Sequence, residues 1–174
     1  KMALNYIDNF LNQEIKLLKN TAIELQIKIL EKQLSTSISV NGNAVFLKGK
    51  ADRIDVINNQ LRIVDYKTGS IKETDLKIET VAEVLEKPKA FQVLFYAYLY
   101  AKEYQLVNVA ITSGIVSLRK PSNGFMPLFI NKSEFITNAI LAEFEELLFQ
   151  ILIDIANPEL VFEHNDEAKY CLYC

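Results

Sequence analysis

The chain has 174 residues, of which 50% are hydrophobic and 24% charged, and its net charge is −3. This composition is that of one globular domain with a core of its own. The negative charge excludes a protein that coats nucleic acid with a basic surface, although it allows acidic metal ligands beside a local basic rim. Two cysteines exclude a disulfide scaffold, and no apolar run has the length of a bilayer span. The expected location is cytoplasmic.

The first 34 residues place apolar side chains at helical spacing. One set comprises Leu4, Ile7, Leu11, Ile15 and Leu18. A second set comprises Ile23, Ile27, Leu30 and Leu34. The spacing predicts one or two helices, with Asn20-Thr21 as the candidate break.

The hydrophobic period then changes to two. Ile38-Ser39-Val40, residues 45–51 and Leu61–Tyr66 alternate in polarity or are rich in β-branched residues. Asn41-Gly42-Asn43 and Asn58-Asn59 separate them as turn signals. The pattern predicts a three-stranded antiparallel meander.

The second half of the chain is expected to add helices and further strands. Ile71–Pro88 is polar and charged, which favours a mobile loop with some helix, and Pro88 is a good first-turn residue for the next helix. The predicted elements are a helix over Lys89–Tyr104, a strand over about Val107–Leu118, a short strand near Phe125–Ile130, and a helix from Glu134 to about Ala156. Ser133 is the predicted N-cap of that last helix, and Asn157-Pro158 should end it.

Two carboxylates and a lysine are predicted to meet in the second hairpin. Asp65 and Lys67 share a strand face by alternation, whereas Tyr66 points away. Folding the chain back at the second turn brings Asp52 beside Asp65. Adjacent carboxylates repel unless a cation intervenes, and hard oxygen ligands suit Mg²⁺ or Mn²⁺. A metal ion with a nearby lysine is equipment for phosphodiester hydrolysis.

A surface ladder of solvated charges explains a D-x-K pair equally well, and the spacing alone does not separate the two interpretations. Gln92 and Tyr96, four residues apart on the following helix, favour a site because they share one face. The helix is otherwise rich in apolar residues, and a buried glutamine amide needs hydrogen-bond partners.

The combined motifs resemble a known family. G-x-x-D-R-I-D from Gly49, D-Y-K-T-G from Asp65 and Q-x-x-x-Y from Gln92 are similar to motifs of the PD-(D/E)XK nuclease superfamily, in particular its RecB/AddB-like branch. The resemblance covers roughly Glu31–Tyr104. It implies an α/β, restriction-endonuclease-like αβββαβ core, in which helices flank a mixed central sheet. It also implies one nuclease domain over 1–174, expected to be a fragment of a longer helicase–nuclease-type protein.

The resemblance assigns roles to individual residues. Asp52, Asp65 and the backbone carbonyl of Tyr66 would hold Mg²⁺ or Mn²⁺, and Lys67 would be the catalytic lysine. Gln92 and Tyr96 would lie beside the active centre and the DNA. A further acidic ligand is expected before the meander, with Glu31 and Glu24 as the candidates.

The implied function is a Mg²⁺-dependent deoxyribonuclease, an exonuclease more readily than an endonuclease, in DNA repair or recombination. Its partners would be DNA and a helicase domain or subunit, without a membrane. The alternative is a catalytically inactive DNA-binding or scaffolding module of a helicase–nuclease complex. Such a module would usually have lost at least one of Asp52, Asp65, Lys67 and Gln92.

The C-terminal cysteines, Cys171 and Cys174, form a C-x-x-C pair. The resemblance makes them candidates for two of the four ligands of a 4Fe–4S cluster, which this chain does not complete; two free thiols are the alternative. His164, the only histidine, is expected to be solvated. Phosphate contacts and simple solvation are both open for four basic residues, Lys87, Lys89, Arg119 and Lys120.

Overall fold

The structure is a computed structural model that describes residues 2–161, with side chains from Leu4 onward. Its elements are α1 (Met2–Leu18), β1 (Leu25–Val40), β2 (Asn43–Ile57), β3 (Gln60–Lys67), β4 (Lys77–Ile78), α2 (Pro88–Glu103), β5 (Ile111–Ser117), β6 (Phe125–Pro127), β7 (Phe129–Ile130) and α3 (Asn138–Ala156). Short 3₁₀ helices cover Glu73–Leu76, Val81–Glu86 and Pro121–Asn123. No helix in residues 2–161 is long and apolar enough to cross a membrane.

Five strands form a mixed sheet in the order β1-β2-β3-β5-β6. The β1, β2 and β3 strands are antiparallel, β3 and β5 run parallel, and β6 returns antiparallel to β5. The parallel pair requires a crossover, which α2 supplies. The predicted αβββαβ order and the restriction-endonuclease-like fold class are therefore confirmed.

Both hairpins of the meander turn through asparagine. Asn41 and Gly42 have φ of 50° and 78°, and Asn58 and Asn59 have φ of 47° and 66°. Positive φ at both central residues of a two-residue loop is the type I′ geometry, whose twist matches that of the flanking strands. The predicted meander and its two turns are confirmed.

The prediction of a helix over the second apolar set was wrong, because residues 25–40 form the edge strand β1. Its register against β2 shifts between Ile27 and Ile29, and Glu31 has a φ of 54°. Side chains of a regular strand alternate between the two faces of the sheet. An irregularity that interrupts this alternation allows apolar residues spaced three or four apart to lie in a strand. Pairing with β2 then decides the conformation, which local spacing cannot anticipate.

The segment between β3 and α2 is more closely packed than the expected mobile loop. It contains two 3₁₀ helices and the strand β4, which pairs in parallel with β7 in a separate two-stranded sheet. Five aliphatic side chains of this segment are buried in the core: Ile71, Leu76, Ile78, Val81 and Val84.

Three other boundaries differ from expectation. The helix α3 begins at Asn138 with Thr137 as its N-cap, rather than after Ser133, because the preceding residues form bridges to Ile111 and Ile130. The predicted strand over 125–130 is split between two sheets, and β5 is shorter than predicted. Pro88 begins α2 as predicted, and α3 ends at Ala156.

The sheet is covered differently on its two faces. The helix α2 lies against β1, β2, β3 and β5 on one face, and α3 packs beside it. Side chains buried between these layers include Leu34, Ile54, Ile63, Leu94 and Tyr98. The helix α1 contacts the opposite face through Phe10 and Glu14, which meet Tyr66 and Arg53.

We predict that Gly114→Ala destabilises the protein by about 2–3 kcal/mol, the cost of forcing extra atoms into a packed site. A Cβ at Gly114 would lie 2.2 Å from the backbone oxygen of Met126 and 2.8 Å from the Cα of Pro127. Neither β5 nor β6 can yield without losing its pairing. Chemical denaturation measures the change in the free energy of unfolding.

Gly69→Ala is the matched control, because no atom lies within 4 Å of its added Cβ. It should change the free energy of unfolding by no more than about 0.5 kcal/mol. Equal effects of the two substitutions would contradict the close approach of β5 and β6.

Candidate active site

The pairing of β2 with β3 ends before β3 does. The last paired residues are Arg53 and Val64, whereas β3 continues alongside β5 as far as Lys67. Just beyond the ladder, the backbone N–H of Tyr66 donates to Oδ2 of Asp52 at 2.7 Å. A side-chain carboxylate thus replaces a strand carbonyl, which fixes Asp52 at the opening between the strands.

Asp65 lies in this opening with only 4% of its side chain exposed, and Nζ of Lys67 is 2.8 Å from its Oδ2. Burial raises the pKa of the Asp65 carboxyl above its ordinary value. The ion pair with Lys67 opposes that rise in pKa, and the negative charge of Asp52 adds to it. The structure therefore brings Asp52, Asp65 and Lys67 together.

Gln92 joins the helix α2 to this group. Its Nε2 donates to Oδ1 of Asp65 at 3.3 Å and to the Tyr96 hydroxyl at 2.7 Å. The partners that a glutamine amide on an apolar helix needs are thus the site carboxylate and the tyrosine one turn later. Gln92 holds the Asp65 carboxylate in one orientation.

Gly49 allows α2 to approach β2 at this point. A Cβ there would lie 2.8 Å from Cδ1 of Leu99 and 3.0 Å from Cε1 of Tyr96. The glycine of the G-x-x-D motif therefore has a packing role, since it leaves room for the helix that carries Gln92 and Tyr96.

The residues present fit a divalent cation. Oδ2 of Asp65 is buried, and the Lys67 ammonium at 2.8 Å is the cation that it meets in the described residues. Within residues 2–161, no three His, Cys, Asp or Glu side chains converge as a metal site. A site of two carboxylates and a backbone carbonyl suits Mg²⁺, which usually retains several waters and binds few protein ligands.

The two candidates for a further acidic ligand are not gathered at Asp65. Glu31 stands opposite Asp52 in the register, but its exposed side chain forms an ion pair with Lys50. Glu24 precedes β1, where its N–H donates to Oδ1 of Asn58 at the far end of the β2–β3 hairpin. Glu31 is therefore the nearer of the two.

Basic side chains lie at the same edge of the sheet. Parallel strands bring their carboxyl ends together, so exposed Arg119 and Lys120, which follow β5, lie near the end of β3 that carries Lys67. Lys89 instead forms an ion pair with Asp75 at 2.6 Å, and Lys87 donates to the carbonyl of Lys77.

A buried charge cluster on the opposite face of the sheet was not anticipated from the sequence. Asp55 is fully buried and accepts hydrogen bonds from Nε of Arg53 at 2.6 Å and from Nε and Nη2 of Arg62 at 2.8 and 3.0 Å. The R-x-D spacing within a largely apolar strand was the available signal, because alternate residues share a face.

The cluster reaches the strand that carries the site. Nη1 of Arg53 donates to Glu14 of α1 at 2.9 Å and to the Tyr66 hydroxyl at 3.0 Å. The Phe10 ring packs edge-on against Tyr66, with ring centroids 5.3 Å apart. Tyr66 is therefore held on the face of the sheet opposite the site, and its ring points away from Asp65 and Lys67 as predicted.

Three residues discussed in the sequence analysis, Cys171, Cys174 and His164, lie outside the described residues.

The sequence matches the family model of the PD-(D/E)XK nuclease superfamily over residues 1–174. The chain belongs to the PD-(D/E)XK nuclease superfamily. Membership indicates a metal-dependent nuclease, since these enzymes generally use divalent metal ions. No curated protein sequence matches the chain.

One solved structure similar to this PD-(D/E)XK domain is titled "Crystal structure of SSO0001". The sequences are 19% identical, and the TM-score is 0.38. The match covers 99% of this chain and 68% of the other.

We predict that Asp65→Asn stabilises the metal-free protein at pH 7. A carboxyl whose pKa is raised by folding contributes stability below its unfolded pKa and loses it as pH rises through the folded pKa. The amide removes that loss, so thermal unfolding in EDTA should occur at a higher temperature. The gain should vanish near about pH 3, where the carboxyl is protonated in both states.

Asp55→Asn is the matched comparison at a second buried aspartate. It leaves Arg53 and Arg62 without their shared anion, and breaking a buried pair costs about 3–5 kcal/mol. Opposite signs are expected for the two substitutions. A loss of stability in both would contradict the account of Asp65.

Proposed function

We propose that this domain is a Mg²⁺- or Mn²⁺-dependent deoxyribonuclease, and an exonuclease acting on DNA ends or single strands. The observation that carries the proposal is the buried carboxylate of Asp65, which lies beside the negative charge of Asp52 and pairs with Lys67 at 2.8 Å. Burial and the charge of Asp52 raise the pKa of this carboxyl, and the ion pair with Lys67 does not fully offset them. A bound cation offsets that cost to the ionised form.

Asp52, Asp65 and the Tyr66 carbonyl would hold the cation. When bound, a divalent ion polarises the phosphodiester and acidifies water. Gln92 donates to Oδ1 of Asp65, so Oδ2, which now pairs with Lys67, would be the oxygen that meets the metal. The backbone N–H of Tyr66 donates to Oδ2 of Asp52 and so orients that carboxylate. Each carboxylate is thus oriented by one hydrogen bond.

The Lys67 ammonium supplies positive charge at the reacting phosphate. Its side chain is 30% exposed, so it reaches the opening where DNA would lie. Charge that develops on a phosphate oxygen is stabilised by a donor already in place. Arg119 and Lys120 at the same edge would contact the adjoining backbone phosphates.

The preference for an exonuclease within a RecB/AddB-like helicase–nuclease rests on the resemblance of the combined motifs. The complete set of Asp52, Asp65, Lys67 and Gln92, and the contacts among them, favour an enzyme over an inactive scaffolding module. DNA repair or recombination is the expected setting.

Cleavage of end-labelled single- and double-stranded DNA in Mg²⁺ or Mn²⁺ tests the activity. Asp65→Ala and Lys67→Ala should each lower the rate at least about 100-fold, because each removes charge stabilisation at the reacting group. Lys28→Ala, which removes an exposed lysine near the start of β1, is the matched control and should retain the wild-type rate. Undiminished cleavage by both site variants would overturn the proposal.

Covalently closed circular DNA separates the two modes of cleavage. An exonuclease degrades linear DNA and leaves the circle intact, since a circle offers no end. Comparing 5′- with 3′-labelled linear substrates then gives the polarity. Nicking or linearisation of the circle by the wild type, and not by Lys67→Ala, would replace the exonuclease with an endonuclease.

Thermal unfolding with added Mg²⁺ or Mn²⁺ distinguishes the enzyme from the scaffold. Ligands that bind only the folded state raise its melting temperature, so wild type should gain stability and Asp65→Asn should not. No metal-dependent shift in the wild type would favour the inactive module.

A further inference from the structure

The helix α1 exposes its most apolar side. Five aliphatic side chains spaced three or four residues apart form what we call the α1 stripe. They are Leu4, Ile7, Leu11, Ile15 and Leu18, with exposed fractions of 64, 47, 49, 51 and 50%. The side of α1 that meets the sheet instead carries Phe10, Glu14 and Leu17, which are half-buried. The helix therefore leaves uncovered the side that amphipathic helices normally bury.

The direction of the stripe follows from helix geometry. At about 100° per residue, the stripe lies roughly a third of a turn from the side that contacts the sheet. On the other flank, Gln13 and Lys16 line a cavity of about 420 Å³ that reaches Pro121 and Phe125. The stripe therefore faces the opposite way, towards β1.

The neighbouring part of β1 is apolar and uncovered as well. Leu30 pairs with Arg53 and Ile27 with Asp55, so both lie on the face of the sheet that α1 contacts. They are 59 and 50% exposed. Since β1 is an edge strand, nothing in the described part of the chain lies beyond it to cover this surface.

The arrangement of the α1 stripe matches that of a second, antiparallel copy of the same helix. Its residues read Leu, Ile, Leu, Ile, Leu with gaps of three, four, four and three, so that type and spacing are symmetric about Leu11. An antiparallel copy of the helix, centred on Leu11, places Leu4 against the partner's Leu18 and Ile7 against the partner's Ile15. Leu11 meets the partner's Leu11. Symmetry of this kind is what a two-fold, self-complementary interface requires.

The size and charge of the α1 stripe agree with contact by a second copy of the chain. Five half-exposed aliphatic side chains, with Ile27 and Leu30, expose on the order of a few hundred Å², the size of the largest apolar patch on a typical monomer, which is often functional. A standard interface covers about 800 Å² on each partner, so residues that flank the stripe must also take part. The stripe itself contains no charged residue, so its apolar contact would bring no like charges together.

We propose that the α1 stripe is the interface of a homodimer, formed by antiparallel packing of α1 against α1 of a second copy of this chain. The spacing of three and four residues is also that of helices that pack side by side with interlocking side chains. The dimer does not depend on nuclease activity, because the stripe lies on the face of the sheet opposite Asp65 and Gln92.

Sedimentation velocity over a concentration series tests the dimer. The wild type should approach twice the chain mass as concentration rises. Leu11→Asp, which places two carboxylates together on the symmetry axis, should stay monomeric at every concentration. Asn12→Asp introduces the same charge at an exposed position outside the stripe and should behave like the wild type. Since Leu11 is half-exposed in one copy, Leu11→Asp should unfold at nearly the wild-type temperature at low concentration.

Engineered disulfides test the antiparallel arrangement, in a chain whose own cysteines are replaced by serine. Leu11→Cys should form an intermolecular disulfide efficiently, since the residue meets itself, whereas Asn12→Cys should not. Leu4→Cys should cross-link with Leu18→Cys in a mixed sample and not with itself. A wild type that is monomeric throughout, a dimer that persists in Leu11→Asp, or self-linked Leu4→Cys would overturn the proposal.

Discussion

The early end of the β2–β3 ladder is the constraint on which the site depends. Three residues of β3 extend past the last pair, with β5 paired on one side and no ladder pairing on the other. Their free side must satisfy its backbone groups in some other way, and Asp52 does so by accepting the Tyr66 N–H. The same opening admits Lys67, whose ammonium pairs with Oδ2 of Asp65. A fully paired strand would have closed this space.

Two layers hold the opening in shape from opposite sides. On one face, Gln92 of α2 fixes Asp65, and Gly49 permits α2 to come close enough to do so. On the other face, Arg53 ties Tyr66 to Glu14 of α1. The strand carrying Asp65 and Lys67 is therefore supported by α2 on one face and by a buried charge cluster on the other. Rigid support of this kind is what positions catalytic groups.

Much of the fold was predictable because its signals are local. The asparagine turns determine the hairpins, and the proline determines where α2 begins. The conformation of β1 was not predictable, since its two irregularities give an apolar spacing that is also typical of a helix. The late start of α3 depends on bridges to Ile111 and Ile130, which are distant in sequence. Non-local pairing of this sort overrides local preference.

The parts of the site that depend on residues close in sequence were the most predictable. Asp65 and Lys67 share a face through simple alternation, and Gln92 and Tyr96 through helical spacing. The position of Asp52 beside Asp65 depends on the register of the β2–β3 hairpin, which the sequence does not specify directly. The charge cluster around Asp55 was missed because charged residues are usually solvated, and only the fold reveals that α1 and β3 enclose it.

The irregularity beside Asp52 limits how this domain can change in length. Gly49 and Ala51 face α2, and so does Ile54, so β2 reverses its alternation between Ala51 and Ile54, opposite the left-handed Glu31. The outer end of the β1–β2 hairpin lies beyond this point. Residues added there in pairs, one on each strand, would lengthen the hairpin and leave the site unchanged. One residue inserted between Asp52 and Asn58 would change which face Asp52 lies on relative to β3, so within this hairpin pair the outer end is where length can change.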